Sequence, residues 1–178
     1  MKVTNTLALT SAALVLLAGC QSTPGSDEEG PRATASLVAT KGNKTHGEVT
    51  FDQVGDKVRV VVQVIGLKPK QEHGFHIHEA GDCSSGDGMS AKGHFNPHGK
   101  PHGPQGSSER HAGDLPNLKA DAKGRASMTV MVDNVTVTPG PASIVGRGLI
   151  VHADPDDYKS QPVGNAGARM ACGVIKGE

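Results

Sequence analysis

Tryptophan is absent from the 178-residue chain, tyrosine occurs once and phenylalanine three times. A core without large rings has to be filled by Val, Ile, Leu and Ala. Net charge is missing too: Lys plus Arg number 18, and so do Asp plus Glu. That balance excludes a basic nucleic-acid binder and an acidic tail protein. No helix-period segment of useful length follows residue 32. The length suits one ordinary domain and is short for two. Glycine (24) and proline (11) are plentiful, together about a fifth of the chain. That share lies below the roughly 25–30% that marks disorder, and it suits a β domain with many turns.

The N-terminus stands apart from the fold. "MKVTNTLALTSAALVLLAGC" has a lysine, an apolar stretch and small residues before Cys20. The apolar part is too short for a comfortable membrane span, so residues 1–19 read as a secretion signal. Its ending, "LAGC" (Leu17 to Cys20), resembles a bacterial lipobox. Such signals are cut before the cysteine, which is then lipidated. The resemblance implies a bacterial periplasmic protein anchored to a membrane through Cys20. The alternative is a plain signal peptide cut at a nearby small residue. Residues 20–32 then form a lipidated tether, polar and rich in turn residues, and residues 33–178 form the domain.

A secreted address means an oxidising compartment, where disulfides persist. If Cys20 carries lipid, Cys83 and Cys172 are left as a pair. A bridge between them would close a loop of about 90 residues, for which the chain-entropy model gives roughly 4–5 kcal/mol. The alternative is two free buried thiols.

Strand-like runs recur after the tether: 33–41, 45–54, 56–67, 73–79, 125–133, 147–154 and 169–175. In the third, Val58, Val60, Val62 and Val64 alternate at period two and predict one buried face. Turn signals such as "VGD", "GLKPK", "DAKGR" and "TPGP" separate several of the runs. Regular short strands with polar turns predict an antiparallel sandwich or barrel. Region 80–118 breaks the rhythm. It is rich in Gly, Pro, Ser and His, and a loop of that length in a compact domain is functional or disordered.

Histidine favours function. Five of the nine histidines fall between residues 76 and 102. His76 and His78 sit at i and i+2, so on a strand both rings face the same way and can hold one metal. H-x-H alone also fits a polar strand face. The long region adds His94, His102, His111 and Asp114, a set of imidazoles and one carboxylate that suits tetrahedral zinc. A Gly/Pro-rich loop has no core of its own, and a closed metal site would order it. A solvated histidine-rich surface loop is the alternative. His152, in "LIVHAD", reads on its own as a satisfied core residue.

Taken in order, "GFHIHE…GDC…GHFNPHGKPHG…RHAGDLPN…GRGLIVH…GNAGARMACGVI" resembles copper–zinc superoxide dismutase of the bacterial lipoprotein type, over roughly residues 33–175. The resemblance implies an all-β, antiparallel, Greek-key barrel or sandwich, immunoglobulin-like, of about eight strands with long metal-binding loops. It implies that His76, His78, His94 and His152 hold copper, and that His94, His102, His111 and Asp114 hold zinc, with His94 as a bridging imidazolate. Four nitrogens suit tetragonal Cu(II), and three nitrogens with one oxygen suit zinc. Asp156 matches a carboxylate lying between a copper and a zinc histidine, where it would fix ring tautomers. Arg169 matches a guanidinium at the mouth of the copper channel, suited to attracting a small anion. Cys83 and Cys172 match the internal disulfide of the family. The implied activity is conversion of superoxide to oxygen and hydrogen peroxide by Cu(II)/Cu(I) cycling, with His94 and Arg169 as the catalytic side chains, as antioxidant defence in the cell envelope.

Three histidines stay outside the ligand set: His73 is expected as a buried hydrogen-bonder, His98 as solvated and His46 as exposed. The segment from His152 to Gly164 is shorter than in animal members, and Lys159 is its one cationic candidate for guiding superoxide. Monomer and homodimer both stay open. The rival readings are a periplasmic copper or zinc carrier on the same fold, a structural lipoprotein that binds metal incidentally, and a copper-only dismutase. Arg169 speaks against the carrier, and His102, His111 and Asp114 speak against the copper-only form.

Overall fold

A computed structural model of the chain describes residues 1–2 and 30–178. Cys20, the tether up to residue 29 and the secretion signal beyond Lys2 lie outside the described residues. Among the described residues no helix is long and apolar enough to cross a membrane.

The alternating runs form strands. In chain order they are β1 (Arg32–Ala39), β2 (His46–Val54), β3 (Lys57–Ile65), β4 (Glu72–His73), β5 (Phe75–His78), β6 (Leu118–Lys119), β7 (Arg125–Val132), β8 (Gly148–His152), β9 (Arg169–Val174) and β10 (Lys176–Gly177). One 3₁₀ turn, Met89–Ala91, interrupts the long loop after β5. Eight strands make one antiparallel sheet in the order β5-β8-β9-β1-β2-β3-β7, with β10 beside β1, and β4 pairs β6. Strand β9 returns from the far end of the sequence to lie beside β1, ahead of the β1-β2-β3 meander. This is the Greek-key order that the family resemblance implies. Gly55 allows the tight β2–β3 connection by taking φ +59, a value the first position of a type II′ hairpin turn requires.

Side-chain alternation decides what fills the interior. Val58, Val60, Val62 and Val64 on β3 are at most 1% exposed. They pack with Ala33, Ala35 and Leu37 of β1 and with Val49 and Phe51 of β2. All three phenylalanines, Phe51, Phe75 and Phe95, belong to this cluster. A ring-poor sequence thus builds its core from β-branched side chains and spends its few rings there; each such buried side chain stabilises by roughly 1.5–3 kcal/mol.

Three features fix the long loop against the sheet. Phe95, Ala112 and Leu115 reach into the core from it. Its backbone is also laced to β5: Ile77 N–H donates to Gly113 O at 2.9 Å, Phe95 N–H to Ile77 O at 2.9 Å and Gly113 N–H to Phe95 O at 2.9 Å. Gly113 has to be glycine, because a Cβ there would lie 2.1 Å from the Ile77 carbonyl oxygen. The lacing sets His76 opposite Asp114 and His78 opposite His94. Cys83 and Cys172 are bonded to each other, 89 residues apart, which ties the same loop to β9.

Candidate metal centre

Strand β5 supplies His76 and His78, and its neighbour β8 supplies His152. The laced loop brings His94, His102, His111 and Asp114 over the same end of the sheet. All seven side chains are buried, at 7% exposure or less. They fall into two groups of four, His76-His78-His94-His152 and His94-His102-His111-Asp114, and within each group the ligand atoms lie within 4.8 Å of one another. His94 belongs to both.

Hydrogen bonds choose which nitrogen of each ring faces its cluster. His76 Nε2 is bound to Asp156 Oδ2 at 2.7 Å, which leaves Nδ1 buried without a partner. His78 Nδ1 donates to Lys92 O at 2.8 Å, and His152 Nδ1 donates to Gly167 O at 3.2 Å. Their Nε2 atoms therefore face each other, 3.4 Å apart. His94 Nε2 is the fourth atom, also buried and unpartnered. Four imidazole nitrogens converge with their lone pairs inward and no protein hydrogen-bond donor among them, which is costly unless a cation shares them. An all-nitrogen set of this kind suits copper.

The second cluster has a different donor set. Three ring nitrogens surround Asp114 Oδ1: His94 Nδ1 at 2.8 Å, His102 Nδ1 at 3.0 Å and His111 Nδ1 at 3.4 Å. Tetrahedral zinc with ligands at about 2.0–2.1 Å has ligand-to-ligand edges of about 3.3–3.4 Å, close to these separations. His102 Nδ1 makes no aligned hydrogen bond despite its proximity to Asp114, as expected of a lone pair turned toward an ion. The Asp114 Oδ2 atom accepts the backbone N–H groups of His111 at 2.9 Å and Gly103 at 3.1 Å, so the carboxylate cannot swing away.

Asp156, itself buried, joins the clusters from behind: Oδ2 takes His76 Nε2, and Oδ1 takes His102 Nε2 at 2.9 Å. This is the position expected for it. Electrostatics follow from burial and these two carboxylates. Burial pushes His94 down to about 4, against the opposing pull of Asp114, and pushes His152 down to about 3 with help from positive charge on His76. Burial also lowers His76 and takes His78 well below its ordinary value. Neutral imidazole is the form a metal requires. His102 differs: burial lowers it, but Asp114 and Asp156 outweigh burial and raise it to about 9. Burial works to raise both carboxylates, yet their histidine partners hold Asp114 and Asp156 far below the carboxylate range.

Arg169, the first residue of β9, is half-buried beside the first cluster. Its Nη1 donates to Gly88 O at 2.6 Å and its Nη2 to Lys92 O. Lys92 O is the same carbonyl that orients His78, so the guanidinium is fixed relative to a ring of the first cluster. Lys92 has φ +63, an uncommon conformation for a residue with a Cβ. The remaining histidines sit where expected. His73 is fully buried, with Nδ1 donating to the carbonyl of His152 at 2.9 Å, while His46 and His98 are exposed. Lys159 is exposed in the turn after Asp157. Sequence reading missed Asn117 and Gln161, whose amides hold backbone at the site: Asn117 grips Asp156, and Gln161 grips His102. No spacing signal marks either one.

Comparison with known proteins agrees with this geometry. The model of the copper/zinc superoxide dismutase (SODC) family matches residues 45–175. The chain is 42% identical over 149 residues to "Superoxide dismutase [Cu-Zn] 2" of Aquifex aeolicus (strain VF5), covering 82% of this chain and 86% of that one. It is 42% identical over 146 residues to "Superoxide dismutase [Cu-Zn]" of Paramecium bursaria Chlorella virus 1, covering 79% and 77%. The crystal structure of the clock protein EA4 superposes with a TM-score of 0.75 at 41% identity, covering 82% of this chain and 93% of that one. The chain belongs to the copper/zinc superoxide dismutase family, whose members are oxidoreductases, and its two histidine clusters suit copper and zinc.

Proposed function

We propose that the chain is an envelope superoxide dismutase whose two buried clusters, sharing His94, hold copper and zinc respectively. The observation that carries this reading is the shared histidine: His94 turns Nε2 into the all-nitrogen cluster and Nδ1 toward Asp114. When bound, copper supplies a one-electron centre that superoxide can reduce and reoxidise, and zinc supplies a fixed positive charge. The residues do the rest. Arg169 attracts and orients each superoxide anion, its fork held by the carbonyls of Gly88 and Lys92. His94 Nε2 takes up a proton and returns it, while its Nδ1 side keeps the ring in place. Asp156 holds His76 and His102 in the tautomers that aim Nδ1 inward. In balance, two superoxide anions and two protons give one oxygen and one hydrogen peroxide.

The cell-envelope location rests on "LAGC" and the polar tether: Cys20 carries lipid and the domain stands off the membrane in the bacterial periplasm.

The test combines metal content with activity. The loaded protein is expected to hold one copper and one zinc per chain, one for each cluster, and to remove superoxide. His94→Ala is expected to abolish removal, and Arg169→Ala to reduce it and flatten its dependence on salt. Stoichiometric tight metal without superoxide removal would overturn the enzyme reading in favour of a carrier. Incorporation of labelled fatty acid, lost in Cys20→Ser, tests the anchor.

A further inference from the structure

The segment between His152 and Arg169 reaches the second cluster through both a side-chain-to-backbone contact and a carboxylate. Gln161 lies on the surface, and besides a 3.3 Å bond from Nε2 to the Lys159 carbonyl its amide meets both backbone groups of one residue. Gln161 Oε1 accepts the His102 N–H at 2.8 Å, and Gln161 Nε2 donates to the His102 carbonyl at 2.9 Å. A side-chain amide that meets both backbone groups of one residue fixes that residue's backbone much as a neighbouring strand would.

From the other direction, Asn117 does the same to Asp156. Asn117 Oδ1 accepts the Asp156 N–H at 2.9 Å, and Asn117 Nδ2 donates to the Asp156 carbonyl at 3.0 Å. The two residues so gripped touch each other through the 2.9 Å His102–Asp156 bond. Each loop therefore contributes an amide that holds a site residue of the other. Gly164 closes the arrangement. It is buried, with φ +68, and a Cβ on it would lie 1.9 Å from Asp156 Oδ1 and 2.6 Å from His102 Nε2. The backbone thus lies directly on the His102–Asp156 pair, where a side chain or a water has no room.

We infer that Gln161 is a positioning residue for zinc. The Gln161–Gly164 turn is a latch over the His102–Asp156 pair, and zinc leaves the protein through the opening of that turn. The inference rests on the reading of His94, His102, His111 and Asp114 as the zinc ligands and adds what holds them closed. His102 is the ligand on which it acts, because His102 belongs to a stretch without regular structure, between Pro101 and Gly103. Without the amide grip, the His102 backbone loses its partner on that side, and only the ring is still held there, by Asp156. The copper ligands His76, His78 and His152 sit on strands β5 and β8, so the latch acts on one metal and spares the other.

The experiment uses the full chain loaded with copper and zinc. Zinc release to a chromophoric chelator is followed together with the copper content. Gln161→Ala is expected to release zinc at least about tenfold faster, the usual cost of losing a group that supports a metal ligand, with copper retained. Gln161→Glu keeps the acceptor for the His102 N–H, loses the donor to its carbonyl, and is expected to fall between. With cobalt(II) in place of zinc, Gln161→Ala is expected to change the visible ligand-field bands, which report ligand geometry. Wild-type release rates and bands in both variants would overturn the latch. So would equal loss of both metals with a lower thermal midpoint of the metal-free chain, since that would make Gln161 a general stabiliser. A wild-type chain that retains no stoichiometric zinc would overturn the ligand reading itself, and the latch with it.

Discussion

Asp156 shows how much a single side chain decides. Its two oxygens are shared between His76 and His102, and a further hydrogen bond from the Tyr158 backbone N–H at 2.7 Å holds Oδ1 in place. Remove the carboxylate and both rings are free to turn or change tautomer. Asp156→Ala is therefore expected to weaken copper and zinc binding together, each by about 10–100-fold; competitive titration against chelators of known affinity measures both. Loss of zinc affinity alone would mean that His76 is oriented by something else. The residues that form the two clusters were legible in the sequence, because an i, i+2 histidine pair on a strand puts both rings on one face and the family resemblance named the remaining members in order. Asn117 and Gln161 were not legible. They act through amides on backbone groups 39 and 59 residues away, and an Asn or a Gln in a polar loop looks the same whether or not it meets such a partner.

Strands carry their own electrostatics through register. Arg32 on β1 stands opposite Asp52 on β2, which stands opposite Arg59 on β3. Asp52 accepts from Arg32 Nε at 2.6 Å and from Arg59 Nη2 at 3.0 Å. Burial tends to raise the Asp52 pKa, but the two arginines outweigh it and the native value lies below the ordinary 3.8. A depressed native pKa means that the unfolded chain takes up the proton first as pH falls. The stabilisation is therefore complete above the ordinary value and is lost as pH falls through the native one. Asp52→Asn is expected to destabilise the fold by about 1–2 kcal/mol at about pH 7, with the gap to wild type closing at acid pH. Denaturant unfolding over that pH range checks it, and a gap independent of pH would exclude the ion-pair origin. Strand-like runs between turn signals gave seven strands close to their observed bounds, and in β3 period-two alternation also gave the buried face: one side carries valines and the other Arg59, Val61 and Gln63. The two-residue strands β4, β6 and β10 are too short to show any period. The Arg32–Asp52–Arg59 row depends on pairing that no single strand reveals.

At the scale of the molecule, two kinds of stability meet. The sheet has its own core, with β1, β2, β3 and β7 closed around valines and Phe51. The loops that carry the clusters have little regular structure between β5 and β6 beyond a 3₁₀ turn. They depend on the Cys83–Cys172 bridge, on the lacing to β5 and on the clusters themselves. Ions that bind the native state and not the unfolded one stabilise it by mass action, by about 4 kcal/mol where free ion exceeds Kd a thousandfold. That stabilisation enters where the ligands are. Removal of both metals by chelation is therefore expected to lower the thermal midpoint and to speed amide hydrogen exchange in residues 79–117 and 153–168, while β1, β2, β3 and β7 keep their protection. Exchange that accelerates evenly over the sheet and the loops would mean that barrel and loops unfold as one unit. The core would then depend on the metals as much as the loops do, through Phe95, Ala112 and Leu115, which belong to both.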